Sequence, residues 1–294
     1  MLNKLNSNFP QPRIAVAGAT GRVGSLLIKK MASDPVTLIT LSRQKSIENF
    51  PDGIVSTVVD FDRPSTLEDA LWGVDKLFLA HGTSPQQVTN EIALIDAAVK
   101  TGVRHIVKLS VMGPPTPLNP FAWHALIEAH LAQQPVASTV LRPTTFMDVL
   151  KRAGSSVAKG TWAGAAGNGR INLIDIRDVA DVARIALLED VAEKSQRAYH
   201  LTGPRSWTMH QIAEELSRLL GHTVTYDDRS PDDQYAALIA GGLSPFVADL
   251  LVGLDRVFCD SVLTERTCTV EDLCSTPPRS LSDWLLENLD VFRQ

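Results

Sequence analysis

Three glycines, Gly18, Gly21 and Gly24, stand three residues apart in Arg-Ile-Ala-Val-Ala-Gly-Ala-Thr-Gly-Arg-Val-Gly, residues 13–24. The apolar run before them has the length of a buried parallel strand. After them Val23, Leu26, Leu27 and Met31 repeat at helical spacing. Glycines at these points let the chain turn sharply and let bare backbone approach a pyrophosphate. The first amides of the following helix, and the positive end of its dipole, then face the phosphates. Gly18, Thr20, Gly21, Arg22, Val23 and Gly24 are therefore the candidate contacts to a dinucleotide. A glycine triplet alone is a weak sign, and a plain glycine turn is the alternative. The strand before and the helix after favour the ligand.

Further along, other residues refine that ligand. The second strand runs into Ser42-Arg43-Gln44-Lys45, with no carboxylate where NAD-binding sheets of this kind place one for the ribose 2′-hydroxyl. A carboxylate would repel a 2′-phosphate, whereas a guanidinium pairs with it, so Ser42 and Arg43 point to NADP(H) rather than a solvated basic turn. Asp60 and Phe61 follow the third strand, where a carboxylate can accept from an adenine amino group and a ring can line the base. An ordinary helix-entry turn is the alternative. His81 and Gly82 follow the fourth strand, beside the expected ribose and pyrophosphate; His81 is equally readable as a polar loop residue.

His124 and Glu128 are four residues apart on an expected helix and so share a face. A carboxylate beside an imidazole would raise its pKa and orient it as a proton donor. A structural polar pair is the competing reading. His105 and His200, at and inside strands, are read as structural.

These residues need a scaffold. Apolar runs at Ile14–Ala17, Val36–Leu41, Ile54–Val59, Lys76–Ala80, His105–Leu109 and Ser138–Leu141 alternate with helical patterns at Arg22–Met31, Thr66–Leu71, Gln86–Lys100 and Ala122–Gln133. Such alternation predicts an α/β fold, a doubly wound parallel sheet with right-handed crossovers. Gly160–Gly169 reads as a mobile loop and Arg170–Ile176 as a strand. Asp178 is expected to cap a helix over Val179–Leu188, and Thr208 to start another. The remainder reads as mostly helical. The 294 residues are 44% hydrophobic and 21% charged, with a formal net charge of -5. That composition allows a large core and argues against a general nucleic-acid or membrane-surface binder. Cys259, Cys268 and Cys274 have neither disulfide nor zinc spacing and read as reduced thiols of a cytoplasmic protein, with no metal site.

With these motifs assembled, the chain resembles the NmrA-like branch of the atypical short-chain dehydrogenases/reductases. The resemblance rests on Gly-Ala-Thr-Gly-x-x-Gly, Asp60-Phe61, Leu141-Arg142-Pro143 with Phe146-Met147, Ile176-Arg177-Asp178-Val179-Ala180, and Pro277-Pro278-Arg279-Ser280. It spans nearly the whole chain and implies a Rossmann fold with an NAD(P) site. It also implies that Ser110 and the Arg142–Met147 stretch lie near the nicotinamide, with Pro143 and Phe146 against the ring. On this basis residues 13–205 are expected to form the dinucleotide-binding domain, with 150–170 contributing to the substrate side. Residues 206–294 would form a smaller, mostly helical substrate-binding region, and residues 1–12 a flexible tail.

One departure limits the inference. The wider superfamily works through Tyr-x-x-x-Lys, in which the lysine lowers the tyrosine pKa. Here Tyr199, Tyr226 and Tyr235 are followed four residues on by Gly203, Ser230 and Ile239. The expected activity is NADPH-dependent reduction of a small hydrophobic substrate that needs little proton help: a quinone, an imine or iminium, or a conjugated double bond. His124, Ser110 and Glu128 are the candidate catalytic groups. Leu118–Trp123, Thr161–Trp162 and Pro245–Leu251 are candidate pocket walls. A non-redox isomerase or cyclase on the same fold, and an NAD(P)-sensing regulatory protein, are the alternatives. The expected partner is the substrate, with a second copy of the chain as a candidate and neither nucleic acid nor membrane.

Overall fold

The computed structural model describes residues 11–44, 50–113, 116 and 118–294. Most of the expected N-terminal tail and Lys45 lie outside the described residues.

Seven strands pair in parallel: β1 (Arg13–Ala17), β2 (Thr37–Ser42), β3 (Val55–Val58), β4 (Lys76–Leu79), β5 (His105–Leu109), β6 (Ala137–Pro143) and β10 (Gln196–Leu201). Their order is β10-β6-β5-β4-β1-β2-β3. The order reverses between β1 and β4, and the crevice at the carboxyl ends of those strands is where such sheets bind ligands. The strands β1, β4 and β5 are buried nearly end to end, as apolar parallel strands covered on both faces must be.

Helices α1 (Arg22–Met31), α2 (Ser65–Leu71), α3 (Gln87–Lys100), α4 (Phe121–Ala132) and α6 (Ile176–Leu188) supply that cover. Leu67, Leu71, Leu94, Ile95, Ile127 and Leu131 close one face; Leu27, Ile28, Met31, Val179, Val182 and Ala183 close the other. Charge fixes the second layer as well. Lys30 pairs with Asp181 at 2.5 Å and Arg184 grips Asp34, so the last turn of α1 and the turn that follows it are tied to α6.

A second unit sits beyond the sheet's carboxyl edge. It holds β7 (Thr145–Phe146), α5 (Gly154–Val157), β8 (Thr161–Gly164), β9 (Arg170–Ile174), β11 (Ser206–Thr208), α7 (Met209–Leu220) and β12 (Thr225–Asp228), with helices α8 (Pro231–Ala240), α9 (Pro245–Cys259), α10 (Thr269–Cys274) and α11 (Leu281–Glu287). Strands β11, β9 and β7 form one small sheet and β12 with β8 another. Its own apolar core includes Leu150, Ile171, Trp207, Ile212, Phe258, Trp284 and Phe292. Buried Asn172 ties this unit together, its side chain accepting from the Gly203 amide at 2.7 Å and donating to the Gly203 carbonyl at 3.1 Å.

Thr208 starts α7 as expected, in a reciprocal capping box with Gln211. Two expectations are corrected. The stretch 160–169 contains β8, held by parallel pairing to β12. Asp175, not Asp178, caps α6, because its carboxylate lies one position outside the helix and accepts from the Arg177 amide. Asp178 is instead buried in the first turn, where it accepts from the Arg279 amide at 2.9 Å and from the Arg279 guanidinium. That contact joins the Ile176–Ala180 and Pro277–Ser280 motifs.

His105, fully buried on β5, bonds through Nε2 to Thr139 Oγ1 at 2.9 Å. Burial, with Lys76 and Arg197 nearby, pushes its pKa from 6.5 down to about 4. The folded protein thus resists a proton that the unfolded chain accepts. This share of stability is whole above pH 6.5 and lost as pH falls through 4. His105→Asn should flatten urea-unfolding stability across that window by about 3 kcal/mol at most. An unchanged slope would contradict the assignment.

Candidate functional site

The glycine turn closes tightly. Gly18 has φ +74°, a conformation that glycine adopts without strain, and its carbonyl accepts from the Gly21 amide at 2.9 Å. A Cβ on Gly24 would lie 2.2 Å from the Gly18 carbonyl oxygen, and one on Gly18 would lie 2.8 Å from the Ala80 carbonyl oxygen. Neither position tolerates a side chain. No side chain caps α1 and no acidic residue stands in its first turn. Its first amides are therefore left to an external anion, and Arg22 adds positive charge beside them.

Above this turn lies a cavity of about 330 Å³. Four strand ends build it. Gly18, Gly21, Arg22, Val23 and Gly24 come from the β1–α1 turn, and Ala80, His81, Gly82 and Thr83 follow β4. Leu109, Ser110 and Val111 close β5, and Pro143, Thr144, Thr145 and Phe146 close β6; His124 reaches in from α4. The Arg22 guanidinium stands 5.5 Å over the Phe146 ring.

The other predicted contacts sit elsewhere. Thr20 is exposed and does not line the cavity. Ser42 and Arg43 lie at the end of β2, where Ser42 Oγ donates to the Gln44 carbonyl and Arg43 is exposed. Asp60 is occupied locally. It accepts from the Asp62 amide at 3.0 Å and from Arg63 Nε at 2.8 Å, which together lower its pKa. This geometry favours the helix-entry reading of Asp60. Phe61 packs edge-on to His81, 6.1 Å between centroids. His81 itself spends both nitrogens: Nε2 faces Asn90 Nδ2 at 3.0 Å, and Nδ1 faces the Gly82 carbonyl at 2.6 Å. Asn90 can only donate there, so His81 carries its proton on Nδ1.

The wall opposite the glycine turn corrects the expected His124–Glu128 pair. Glu128 is taken by Arg142, whose Nε lies 3.1 Å from Oε2, and it accepts from Ser110 Oγ. His124 turns instead toward Lys108, with Nδ1 3.2 Å from Nζ. Burial first, then the Lys108 charge, push the His124 pKa well below 6.5, the opposite of the shift expected. Helix spacing places two residues on one face, but here two strands compete for them: Arg142 on β6 captures the carboxylate and Lys108 on β5 meets the imidazole.

Lys108 and Glu91 were missed. Both are fully buried, Nζ to Oε2 2.7 Å, and Gln87 Nε2 donates to Glu91 Oε1 at 3.0 Å. A lysine inside the apolar run His-Ile-Val-Lys-Leu was the available signal, because a parallel strand has no solvent face for it.

A side cavity of about 440 Å³ adjoins the first and shares Val111 and His124 with it. Glu128, Arg142, His200, Glu265, Phe121 and Leu263 are among its walls. His200 is half-exposed at this cavity, 3.4 Å from Arg142 Nη1. Trp162 and Leu251 line a separate cavity of about 640 Å³ in the second unit, and Trp123 stacks on Phe246 at 6.1 Å. Buried Tyr226 accepts from the Ala166 amide, with its pKa raised by burial, and serves the fold.

The family model described as NAD(P)H-binding matches residues 18–190. Among characterised proteins, the chain is 30% identical over 277 residues to quinone oxidoreductase 2 of Escherichia coli, covering 92% of this chain and 96% of that protein. It is 29% identical to the NAD(P)H azoreductase of Xenophilus azovorans over 95% of this chain and 99% of that one. The structure of an E. coli NADPH-dependent quinone oxidoreductase complexed with NADPH superposes with a TM-score of 0.86 at 28% identity, covering 94% and 99% of the two chains.

The glycine geometry makes a direct prediction. Gly24→Ala should weaken dinucleotide binding at least about tenfold in a fluorescence titration, because the turn must open to admit the methyl group. Unchanged affinity would show that the turn does not hold the ligand.

Proposed function

The chain belongs to the NAD(P)H-binding family, and on that premise we propose that it is an NADPH-dependent reductase of small hydrophobic acceptors, quinones first among them. The observation that carries this reading is the cavity where four strand ends converge on an uncapped helix N-terminus, in a chain similar over nearly its full length to a quinone oxidoreductase.

NADPH, when bound, supplies the hydride. The residues of the chain hold and orient it. Gly18, Gly21, Arg22, Val23 and Gly24 receive the pyrophosphate, with Thr20 in the same turn. Pro143 and Phe146 flank the nicotinamide, and His81 and Gly82 lie along the ribose. Phe61 lines the base, and Asp60 shapes the turn that presents it. Ser42 and Arg43 face the 2′-phosphate. The acceptor occupies the space between the nicotinamide end of this cavity and the side cavity, next to Ser110 and His124, with Glu128 holding Ser110.

No Tyr-x-x-x-Lys pair is present in the sequence. Acceptors that delocalise the incoming charge suit such a wall, since they ask less of a proton donor than a plain ketone does.

Two measurements test the reading. Purified protein mixed with NADPH and a panel of quinones, imines and enones should oxidise the cofactor with at least one quinone; silence across the panel would exclude the reductase. Arg43→Glu should raise the Kd for NADPH by about tenfold or more and leave that for NADH within about threefold, because an ion pair with the 2′-phosphate is replaced by repulsion. Equal losses for both would remove Arg43 as the discriminator.

A further inference from the structure

A fully buried ion pair is costly to build, because both charges lose their hydration. Lys108 and Glu91 form one directly behind His124, which lines both cavities. The order of contacts is carboxylate, ammonium, imidazole, cavity.

The protons in this chain of contacts can be placed. An ammonium only donates, so Lys108 Nζ gives a hydrogen to His124 Nδ1 across 3.2 Å. A neutral imidazole with Nδ1 accepting carries its own proton on Nε2. Gln87 Nε2 lies within hydrogen-bond distance of Nε2, at 3.3 Å. That amide nitrogen is also a donor, and it is already committed to the Glu91 carboxylate at 3.0 Å. Gln87 has two N–H groups: one serves Glu91, and the other would suit His124 only if Nε2 accepted. The Lys108 ammonium is the charged donor and has the stronger claim on an imidazole lone pair, so Nδ1 accepts. The Nε2–H of His124 is thus left beside another donor, with no acceptor within the network, in a residue that lines both cavities.

We propose that Lys108 is a positioning residue for the reduction: it holds His124 as the neutral Nε2–H tautomer, so that the imidazole donates a hydrogen bond to the oxygen of a carbonyl or quinone acceptor. The proposal rests on the reductase reading. Quinone, hydride and one solvent proton sum to the hydroquinone; the new bond takes the hydride's electron pair. The oxygen that gains charge is held by Nε2–H until water protonates it through the side cavity, and His124 ends as it began. Lys108 adds a cation behind the ring, which strengthens that hydrogen bond in a low-dielectric wall.

Other charges face the ring as well. Glu128 and Arg142 lie beside it as a closed pair, Arg22 and His81 stand across the cofactor cavity, and His200 and Glu265 sit in the side cavity. Only Lys108 among these touches the imidazole, and burial acts in the same direction.

The test reads the ring directly. Long-range proton–nitrogen NMR of ¹⁵N-labelled protein, with His124 assigned through His124→Ala, should show a neutral Nε2–H imidazole from about pH 8 to about pH 5. A His124 that titrates near 6.5, or that carries its proton on Nδ1, would overturn the proposal without recourse to the Lys108 and Glu91 variants. The double variant Lys108→Met with Glu91→Gln removes both buried charges together, so neither is stranded. It should mix the tautomers, move the titration up toward 6.5 and give kcat an acid limb there. Quinone kcat at neutral pH should fall about tenfold, with the NADPH Kd changed by less than about threefold. An unaltered tautomer, or a shifted tautomer with unaltered kcat, would overturn the role given to Lys108. Wild-type protein with the stated tautomer but no NADPH oxidation would sink the reductase reading itself, and the tautomer assignment would stand.

Discussion

The approach of Gly24 to the Gly18 carbonyl is the contact from which the rest of the site follows. No atom larger than hydrogen fits between them, and none fits between Gly18 and the Ala80 carbonyl. Because the chain closes so tightly, α1 begins directly above the carboxyl end of β1. Its uncapped amides then open into the crevice where the strand order reverses. Lys30–Asp181 and, just past the end of α1, Asp34–Arg184 join that helix to α6. From α6, the Asp178–Arg279 contact reaches the C-terminal turn, so the second unit is anchored to the same helix pair that frames the glycine turn.

The opposite wall is organised by competition among charges. Two carboxylates, Glu91 and Glu128, and two cations, Lys108 and Arg142, form two ion pairs on this wall. They sort by accessibility. Arg142 and Glu128 form the more open pair at the side cavity, and Lys108 and Glu91 form the sealed one behind His124. A planar guanidinium fits a carboxylate through two parallel bonds, whereas an ammonium is a point charge that can face a carboxylate and an imidazole at once. This division leaves His124 beside a cation. It is why an imidazole four residues from a glutamate has its pKa pushed down and not up.

The sequence made the sheet and its covering helices legible because their signals are local: apolar runs of strand length, helical periods, and turn residues between them. The glycine turn was legible for the same reason, since its constraint involves backbone atoms six residues apart. Reading failed where a side chain had a choice of partner. Spacing put His124 and Glu128 on one face but could not show Arg142 arriving from β6. Asp175 and Asp178 are both plausible caps, and only the position of the Ile174–Ile176 boundary selects between them. The Gly- and Ala-rich stretch 160–169 looks structureless by composition, yet β8 is held by pairing with β12, some sixty residues away. Lys108 was visible as an anomaly inside an apolar strand, but its partner Glu91 lies on another element.

The central claim is that this cavity brings NADPH and a quinone together for hydride transfer. It is tested most directly in a single turnover, with the protein loaded with NADPH deuterated at one or the other C4 position and mixed with a quinone. The account predicts loss of reduced-nicotinamide absorbance with stoichiometric hydroquinone, and a primary isotope effect for one of the two labels only. Loss of absorbance with no isotope preference between the two faces, or no loss at all, would contradict it.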